Sequence, residues 1–496
     1  MLTKTQVRND GNAGSPNGYQ RFKIETHQAP PRRKQPRPFN PRVSKVGLAR
    51  MLIGEIAEYN LKLSQKGYRK ILLSRPCIYG TFSGRFGGFH PIKEKCTGCM
   101  RCVQEFPGVC TVDRNPEFYK FADSYWIPAD WETASGSPVA TVSTEAESGK
   151  IPIKGMGYKG AFAGEGWDSI WTDMSEIVRP TRDGVYGREY ISTNVDIGRK
   201  QNFLDFSNDG PDKSYSKTVE VPLPIIFDYL PPNLNSKHIT ESIALAAAHT
   251  GTMFIATPHQ AQQLSERLLE KWMPLVSSND IAEDDSSIRD ARILELEQYD
   301  TSLLERITDI NKKCVCSVRI PLRDDSGKAA AELVRAGVDV IHLTADYHGR
   351  GLDPEKPRLI KDLLRSVHQE LLRESNRDEV TLIASGGIIL AEHVPKAIIC
   401  GADLVAIDTT TLVSLQAQFL GECKSPETGK IQEEAFDSAW GQQRLVNLLG
   451  SWHDQLIEIL SAMGMRDVRR LRGDVGRAMF NEDLEKEAFA GIERRK

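Results

Sequence analysis

The sequence predicts an α/β fold built on a closed barrel of eight parallel strands, with a cysteine-rich segment before the barrel and a helical extension after it. From about residue 218 to residue 420, eight short apolar runs occur, and nearly all of them are followed by a segment with apolar residues at helical spacing. This alternation is typical of a (β/α)8 (TIM) barrel. The runs are apolar on both faces, as buried parallel strands require. A doubly wound open sheet is the alternative.

Each element of the barrel can be placed on the chain. The predicted strands span residues 222–227, 253–256, 274–276, 292–297, 314–320, 338–344, 381–384 and 404–407. The predicted helices span residues 239–248, 260–271, 302–312, 327–336 and 356–373, with one more around residues 394–398. The last two strands and the helix between them form a βαβ unit.

This βαβ unit carries a candidate phosphate site. The strand at 381–384 ends in a serine and two glycines, and backbone N–H groups of glycine can approach an anion closely. In a (β/α)8 barrel, phosphate often lies on the loops after strands seven and eight. The predicted phosphate-binding residues are Ser385, Gly386, Gly387, Asp408 and Thr409. An ordinary turn between parallel strands is the alternative, since a glycine pair alone is a weak signal.

Composition narrows the class of protein. The chain has 496 residues, of which 40% are hydrophobic and 26% charged, and its net charge is −3. These values are ordinary for a globular protein of two or three domains, and they do not suggest nucleic-acid binding. No apolar run is long enough for a membrane span, and the N-terminus has no signal-peptide pattern. We therefore expect a cytoplasmic protein.

The N-terminal 45 residues form a basic tail in the sequence. Ten Lys or Arg stand there against two acidic residues, and no periodic apolar face is present, so the tail is predicted to be disordered. Its PPRRKQPRP run either touches an acidic partner or RNA or, as we prefer, lies over a neighbouring subunit. Residues 46–68 are predicted to form a helix.

The most specific motif is a run of cysteines at C-x2-C-x2-C spacing. Cys96, Cys99 and Cys102 lie on one short loop, a pattern that resembles half of a bacterial ferredoxin motif and predicts an iron–sulfur cluster. Zinc is the rival metal, because C-x2-C pairs also bind it. The odd total of nine cysteines, four of them in residues 96–110, fits a cytosolic metal or redox site better than a disulfide framework.

The fourth cluster ligand is not fixed by the spacing. In the ferredoxin half-motif a fourth Cys precedes a proline, but here Phe106 precedes Pro107. That Cys serves the second cluster of two-cluster ferredoxins, so its loss predicts a single cluster. The fourth ligand is predicted to be Cys110 or, failing that, Cys77, giving a 4Fe–4S cluster. With neither, a 3Fe–4S cluster would result.

The predicted organisation has five parts. A disordered basic tail (1–45) precedes a cluster-binding segment (46–130), an irregular wrapping arm (131–217), the barrel (218–420) and a C-terminal helical extension (421–496). The arm is assigned as irregular because its many glycines and charges show no clean period.

The barrel and the segment after it resemble the FMN-binding domain of the glutamate synthase family. The order ASGGI…GADLVAI resembles the end of that domain, and residues 440–473 (WGQQRLVNLLGSWHDQLIEILSAMGMRDVRRLRG) resemble the helical segment that follows it. A ferredoxin-like segment ahead of the barrel is similar to the short archaeal-type members. The resemblance extends over roughly residues 90–475. It implies that the phosphate at Ser385–Gly387 and Asp408–Thr409 belongs to FMN.

Other family motifs are altered or missing. The loops that would bind substrate and flavin in the family read YDTS after Gln298, TADYHGRG at residues 344–351 and TPHQ at residues 257–260. Only Cys423 remains where the family has three cysteines after strand eight, and no glutaminase domain is recognisable. The resemblance therefore implies a divergent member that does not make glutamate from 2-oxoglutarate.

Two barrel residues are candidates for redox chemistry. The family places a Lys on strand five beside the flavin, and Arg319 takes that place here. A fixed cation there would stabilise an anionic reduced flavin, although a salt bridge at the barrel mouth is its structural alternative. His348 follows strand six and is a candidate proton donor, or otherwise a loop histidine. Cys314 and Cys316 alternate along a buried strand and are predicted to be core thiols.

Two functions remain open from the sequence. In the first, which we favour, the chain is an oxidoreductase subunit that passes electrons between the iron–sulfur cluster and FMN, and on to a small substrate or partner. In the second, the barrel has lost FMN and the chain is an electron-transfer or scaffold subunit. Either function implies an oligomer with other redox subunits or a carrier, such as a ferredoxin or an NAD(P)H reductase chain.

Overall fold

The computed structural model describes most of the barrel and parts of the segments before it. The described residues are 22–32, 39–45, 49, 77, 80–82, 90–96, 98–105, 107–116, 138–149, 166–172, 190–200, 206–207, 210–211, 217–277, 289–353, 355, 357–420, 429–432 and 434–489. The chain divides into two compact units, residues 31–140 on one side and residues 1–30 with 141–496 on the other.

The larger unit contains a closed barrel of eight parallel strands, which confirms the predicted fold class. The strands are β1 (Ile225–Phe227), β2 (Phe254–Ala256), β3 (Trp272–Val276), β4 (Ile293–Leu296), β5 (Val315–Pro321), β6 (Val340–Thr344), β7 (Thr381–Ser385) and β8 (Leu404–Ile407). Each pairs with the next, and β8 closes the barrel by pairing with β1, where Val405 lies opposite Ile225. The strands are almost wholly buried, which explains why the sequence shows them as continuous apolar runs.

Helices follow most of the strands and extend beyond the barrel. They are Lys237–Thr250, Pro258–Ala261, Glu266–Leu269, Thr301–Ile310, Ser326–Arg335, Ile360–Arg373, His393–Ile399, Thr409–Ser414, Ser438–Ala462 and Asn481–Phe489. The single helix predicted over 260–271 is wrong, because two short helices stand there. Thr257 and Gln260 form a capping box that starts the first at Pro258, and the polar stretch after it offers no continuous apolar face.

The longest of these helices is Ser438–Ala462, called the long helix below, and it forms hydrogen bonds with part of the N-terminal segment. Residues 22–30 have no regular secondary structure, and Ile24 and Ala29 among them are buried. The fully buried Arg444 donates to the carbonyl of Ala29 at 2.9 Å, and Asn447 donates to the carbonyl of His27 at 2.6 Å. The prediction of disorder is therefore wrong for this part of the tail. Its backbone groups find partners on a helix more than 400 residues away, which local composition cannot reveal.

The smaller unit contains the cysteine motif. Strand Phe39–Val43, within the tail predicted to be disordered, pairs antiparallel with strand Cys110–Arg114. A 3-10 helix (Lys93–Lys95) precedes the motif, and a short helix (Arg101–Glu105) ends it. The predicted helix over 46–68 lies almost wholly outside the described residues.

Parts of the predicted irregular arm are regular. A helix (Pro138–Ser148) packs its Val142 and Ala146 in the core, and strand Val195–Arg199 pairs antiparallel with Lys217–Val221. Strand Ile170–Thr172 pairs with Ala478–Phe480. The domain boundaries as a whole stay a prediction. Among the helices of the described residues, none combines the length and the apolar character that crossing a bilayer requires.

Candidate functional site

The carboxyl end of the barrel carries a buried ion-pair network centred on Arg319. Arg319 lies near the end of β5, between Asp228 after β1 and Glu295 on β4. Its Nη2 is 2.5 Å from Asp228 Oδ1, and its Nε is 2.7 Å from Glu295 Oε1. The side chains are 17%, 4% and 0% exposed, respectively. The salt bridge that the sequence allowed as an alternative role for Arg319 is therefore present.

His342 extends the network across the barrel. It lies beside Arg319 in the register of β5 and β6, and its Nδ1 is 2.9 Å from Glu295 Oε2. Its Nε2 is 3.9 Å from Asp228 Oδ2 and has no hydrogen-bond partner among the described residues. Ser317 also donates to Glu295 Oε2, at 3.1 Å. Sequence reasoning missed Asp228, Glu295 and His342. The signal that could have revealed them is a charged or polar residue in or next to an apolar run that is typical of a strand buried on both faces.

Two of the acidic groups at this end of the barrel, Glu295 and Asp408, have pKa values shifted in opposite directions. Burial alone would raise the pKa of Glu295, but Arg319 and then His342 outweigh it and lower the pKa to about 2. Asp408 has the opposite surroundings. Burial and the negative charge of Asp228 raise its pKa to about 6. The barrel mouth therefore holds two buried carboxyl groups, one with a lowered pKa and one with a raised pKa.

The five predicted phosphate residues lie together at the ends of β7 and β8. A hydrogen bond from Thr410 Oγ1 to the carbonyl of Ile388 joins the two loops at 2.7 Å. Gly386 and Gly387 have φ of +91° and +68°. A Cβ on Gly386 would lie 2.5 Å from the carbonyl oxygen of Ala345, and one on Gly387 would lie 2.4 Å from Gly349 Cα. These glycines are therefore required by close packing against the loop after β6.

Asp408 occupies the place where a phosphate was predicted. Its carboxylate caps the helix Thr409–Ser414 by accepting from the backbone N–H of Thr409. Ser385, Asp408 and Thr409 are all buried. A carboxylate at this position competes with a bound anion for the same donor and repels it. Thr409 Oγ1 is buried without a hydrogen-bond partner among the described residues.

His348 lies on the loop after β6, where the barrel topology predicts it. The Oδ1 atom of Asp346 accepts from the backbone N–H of His348 at 2.9 Å and from that of Arg350 at 2.7 Å. Burial raises the pKa of Asp346, while these contacts oppose the shift. The backbone of this loop is thus fixed by Asp346, and the proton-donor role of His348 stays a prediction.

The cysteine motif of the smaller unit surrounds a small cavity. Its lining includes four thiol-bearing residues, Cys77, Cys96, Cys99 and Cys102. Gly98 and Met100 both have positive φ, of +71° and +58°, and turn the chain tightly between the cysteines. The loop geometry thus brings the three thiols of the C-x2-C-x2-C spacing to one cavity, as the motif predicts.

The thiols influence one another electrostatically. Burial raises the pKa of Cys96 to about 11, a backbone hydrogen bond from Gly98 lowers it, and the thiols of Cys102, Cys77 and Cys99 raise it further. Burial also raises the pKa of Cys102, and the thiols of Cys77 and Cys99 add to the shift. Clustered thiols of this kind are stable as thiolates only with a cation among them.

The donor set of the cavity fits an iron–sulfur cluster. Three of its thiols come from the C-x2-C-x2-C loop, and Cys77 adds a fourth sulfur donor. Four thiolates also bind a single zinc ion, so analysis of bound iron and zinc distinguishes the two metals.

Comparisons with known proteins agree with the barrel. The family model described as the conserved region in glutamate synthase matches residues 282–466. The archaeal-type glutamate synthase (NADPH) of Dehalococcoides mccartyi is 23% identical over 447 residues, covering 77% of this chain and 86% of the relative. The archaeal glutamate synthase (NADPH) of Archaeoglobus fulgidus is 24% identical over 449 residues, covering 77% and 85%. That of Methanocaldococcus jannaschii is 30% identical over 173 residues, covering 32% and 33%.

A solved structure of a mandelate oxidase mutant with an FMN adduct is also similar. It covers 75% of this chain and 97% of its own, at 13% identity and a TM-score of 0.39. The strand topology itself defines the fold.

Fold and site define a (β/α)8-barrel protein with a separate cysteine-rich unit. Within that class, residues 282–466 match the conserved region in glutamate synthase, and 77% of the chain is similar in sequence to archaeal-type glutamate synthases. The resemblance seen in the sequence is thereby confirmed.

Proposed function

We propose that this chain is an iron–sulfur redox subunit of the glutamate synthase type, which exchanges electrons with a partner protein. The observation that carries the proposal is the cavity shared by the thiols of Cys96, Cys99 and Cys102. Partners are expected among redox subunits or carriers, such as a ferredoxin or an NAD(P)H reductase chain.

The fuller form of this proposal adds FMN at the barrel mouth. Electrons would then pass between the cluster and FMN, and on to a small substrate or a partner subunit. The family domain over residues 282–466 supports this form, as do the glycine turn after β7 and the cation on β5. Bound FMN would supply the exchange between one-electron and two-electron transfer. Arg319 would keep a positive charge beside it, because its two carboxylate partners raise its pKa against the effect of burial.

A barrel without flavin is the second candidate, and Asp408 is the observation that favours it. Its carboxylate already accepts from the N–H of Thr409, and the other predicted phosphate residues are buried. Arg319 is also neutralised by Asp228 and Glu295. As these side chains lie, they do not fit a phosphate, and this favours a barrel that holds no flavin. The iron–sulfur function does not depend on FMN.

The decisive experiment is cofactor analysis of the whole chain purified without oxygen. Iron and acid-labile sulfide are measured together with the visible spectrum, and flavin is released by acid and quantified. Iron and sulfide in equal amounts support the proposal, whereas zinc without iron contradicts it. About one FMN per chain selects the fuller form, and its absence selects the second candidate.

A variant pair tests the ligand assignment in the same preparation. Cys99→Ala is expected to abolish most of the cluster absorption, because a ligand sulfur is lost and alanine offers no replacement donor. Cys400→Ala is the matched control, since Cys400 is a buried thiol of the barrel unit. An unchanged spectrum for the Cys99 variant would refute the assignment.

A further inference from the structure

Cys77 lies far from the C-x2-C-x2-C motif in sequence, yet it lines the same cavity. Of the cysteines near the motif, Cys77, Cys96, Cys99 and Cys102 line that cavity and Cys110 does not. From this geometry we propose that Cys77 is the fourth ligand of the cluster and that Cys110 is not a ligand. The inference rests on the proposed iron–sulfur function and assigns one more residue to it.

Main-chain hydrogen bonds hold the Cys77 turn against the start of the motif. The N–H of Gly80 donates to the carbonyl of Cys77 at 3.1 Å, which closes a tight turn. The N–H of Ile92 donates to the carbonyl of Thr81 at 2.8 Å, and the N–H of Cys96 donates to the carbonyl of Lys93 at 3.1 Å. These main-chain hydrogen bonds link the turn that carries Cys77 to the segment that carries Cys96, so the two cysteines are positioned together.

The sulfur of Cys77 also has the hydrogen-bond environment of the other ligands. The backbone N–H of Thr81 donates to Cys77 Sγ at 3.3 Å. Backbone hydrogen bonds from Gly98 and Val103 reach the thiols of Cys96 and Cys102 in the same way. Donors aimed at sulfur stabilise the thiolate form and influence the potential of a bound cluster.

Cys110 lies beside these thiols but outside the lining of the cavity. It begins the strand paired with Phe39–Val43 and is buried in an apolar cluster with Phe82 and Cys102. Burial raises the pKa of its thiol to about 11, and the neighbouring thiol of Cys102, which is hydrogen-bonded to it, raises it further. Cys110 is thus part of the apolar core of this unit.

The ligand set has a simple chemical consequence. On loading, four thiols release their protons and bind four irons of a 4Fe–4S cluster, one thiolate to each iron. The C-x2-C-x2-C loop supplies three of these ligands. Cys77, on a turn joined to the motif by main-chain hydrogen bonds, supplies the fourth, so a complete four-iron cluster does not require Cys110.

The test compares Cys77→Ala with Cys110→Ala in the whole chain, reconstituted with iron and sulfide without oxygen. The wild type and Cys110→Ala are expected to hold about four irons per chain, whereas Cys77→Ala falls to about three or fewer. Electron paramagnetic resonance of the oxidised Cys77→Ala protein should show a three-iron cluster if iron remains. Four irons in Cys77→Ala, together with loss in Cys110→Ala, would overturn the inference.

A second pair covers the case in which Cys77→Ala does not fold. Serine can bind iron through oxygen, so Cys77→Ser should retain a cluster with an altered spectrum and a lower reduction potential. Cys110→Ser should leave the spectrum and the potential of the cluster at their wild-type values. An unaltered cluster in Cys77→Ser would count against the inference alone. A wild-type chain that binds neither iron nor sulfide would contradict the proposed function itself and this inference with it.

Discussion

Arg319 is the residue on which the electrostatics of the barrel mouth depend. It is the counter-ion shared by Asp228 and Glu295, both of which are nearly or fully buried. Removing one partner of a buried ion pair leaves an uncompensated charge and typically costs about 3–5 kcal/mol. We therefore expect Arg319→Ala to lower the free energy of unfolding by about that amount, as measured by urea denaturation at neutral pH.

Arg335→Ala is the control for this loss of charge. Arg335 pairs with Glu374 at 3.1 Å, but both side chains are largely exposed, at 58% and 40%. Exposed pairs contribute about 0–1 kcal/mol, so this variant should unfold nearly like the wild type. Equal effects of the two substitutions would show that the buried network does not stabilise the barrel.

Asp408 should destabilise the protein at alkaline pH. Its folded-state pKa is raised from 3.8 to about 6, so its contribution to stability is fully present below about pH 4 and is lost as the pH rises through about 6. A shift of this size corresponds to about 3 kcal/mol. Asp408→Asn keeps an oxygen acceptor for the Thr409 N–H without the charge. It should raise the melting temperature at pH 8 more than at pH 5.

Glu295, at the same end of the barrel, does not obscure this result. The pKa of Glu295 is lowered to about 2, so its contribution is present above its unfolded-state pKa and is lost only in strong acid. The difference between the wild type and Asp408→Asn from pH 5 to pH 8 therefore reports Asp408 and its repulsion by Asp228. A stability difference that did not change with pH would disprove the raised pKa.

At the scale of an element, the cysteine loop depends on a turn with no room for side chains. Gly98 has φ of +71°, and a Cβ there would lie 2.3 Å from the ring of Phe39. Gly108 has a similar φ of +72° but has open space at the same position. The two glycines share their backbone strain and differ in packing, which makes them a matched pair.

We expect Gly98→Ala to reduce the iron bound per chain well below that of Gly108→Ala. The added methyl group forces the loop away from Phe39 and so displaces Cys96 and Cys99, whereas Gly108→Ala costs only the backbone strain of about 1 kcal/mol. Iron and sulfide analysis after identical reconstitution checks this. Equal iron contents would mean that Phe39 does not position the loop.

The barrel strands show how far the sequence alone can predict an element. For β7 and β8 the predicted and observed bounds agree to within one residue, because continuous apolar runs reflect burial on both faces. The sequence predicts one helix after β2, whereas the structure has two. The ends of a polar helix are set by capping residues, which hydrophobic periodicity does not reveal. Loops and caps thus limit prediction more than strands do.

The site was predictable only where spacing along the chain decides it. Three cysteines at fixed intervals indicate one cavity, and the structure brings them there. The network of Asp228, Glu295, Arg319 and His342 joins β1, β4, β5 and β6, so it depends on barrel closure and register. No local pattern contains that information. Cys77 was likewise only an alternative in the sequence, because its turn approaches the motif through main-chain hydrogen bonds.

At the scale of the whole molecule, the N-terminal segment contributes to the stability of the barrel unit. Residues 22–30 bury Ile24 and Ala29 and supply carbonyl acceptors to the long helix. Without them, Arg444 Nη1 loses its acceptor on Ala29, whereas Asn447 Nδ2 keeps the carbonyls of Ala146 and Glu147. The buried apolar surface of Ile24 and Ala29 is also lost, and a buried donor left unsatisfied costs about 1–3 kcal/mol. Deleting residues 1–30 should therefore destabilise the protein by at least about 2 kcal/mol more than deleting residues 1–21.

The comparison of the two deletions isolates residues 22–30, because both lack everything before them. Chemical denaturation, followed by the fluorescence of Trp440 and Trp452 on the long helix, measures the difference. Trp440 donates to the carbonyl of Pro30 at 3.0 Å, so its emission should also shift in the longer deletion alone. Asn447→Ala in the full-length chain removes both hydrogen bonds to His27, together with those to the carbonyls of Ala146 and Glu147, and should destabilise the protein in the same direction. Identical unfolding curves for the two deletions would mean that the segment rests on the barrel unit without stabilising it.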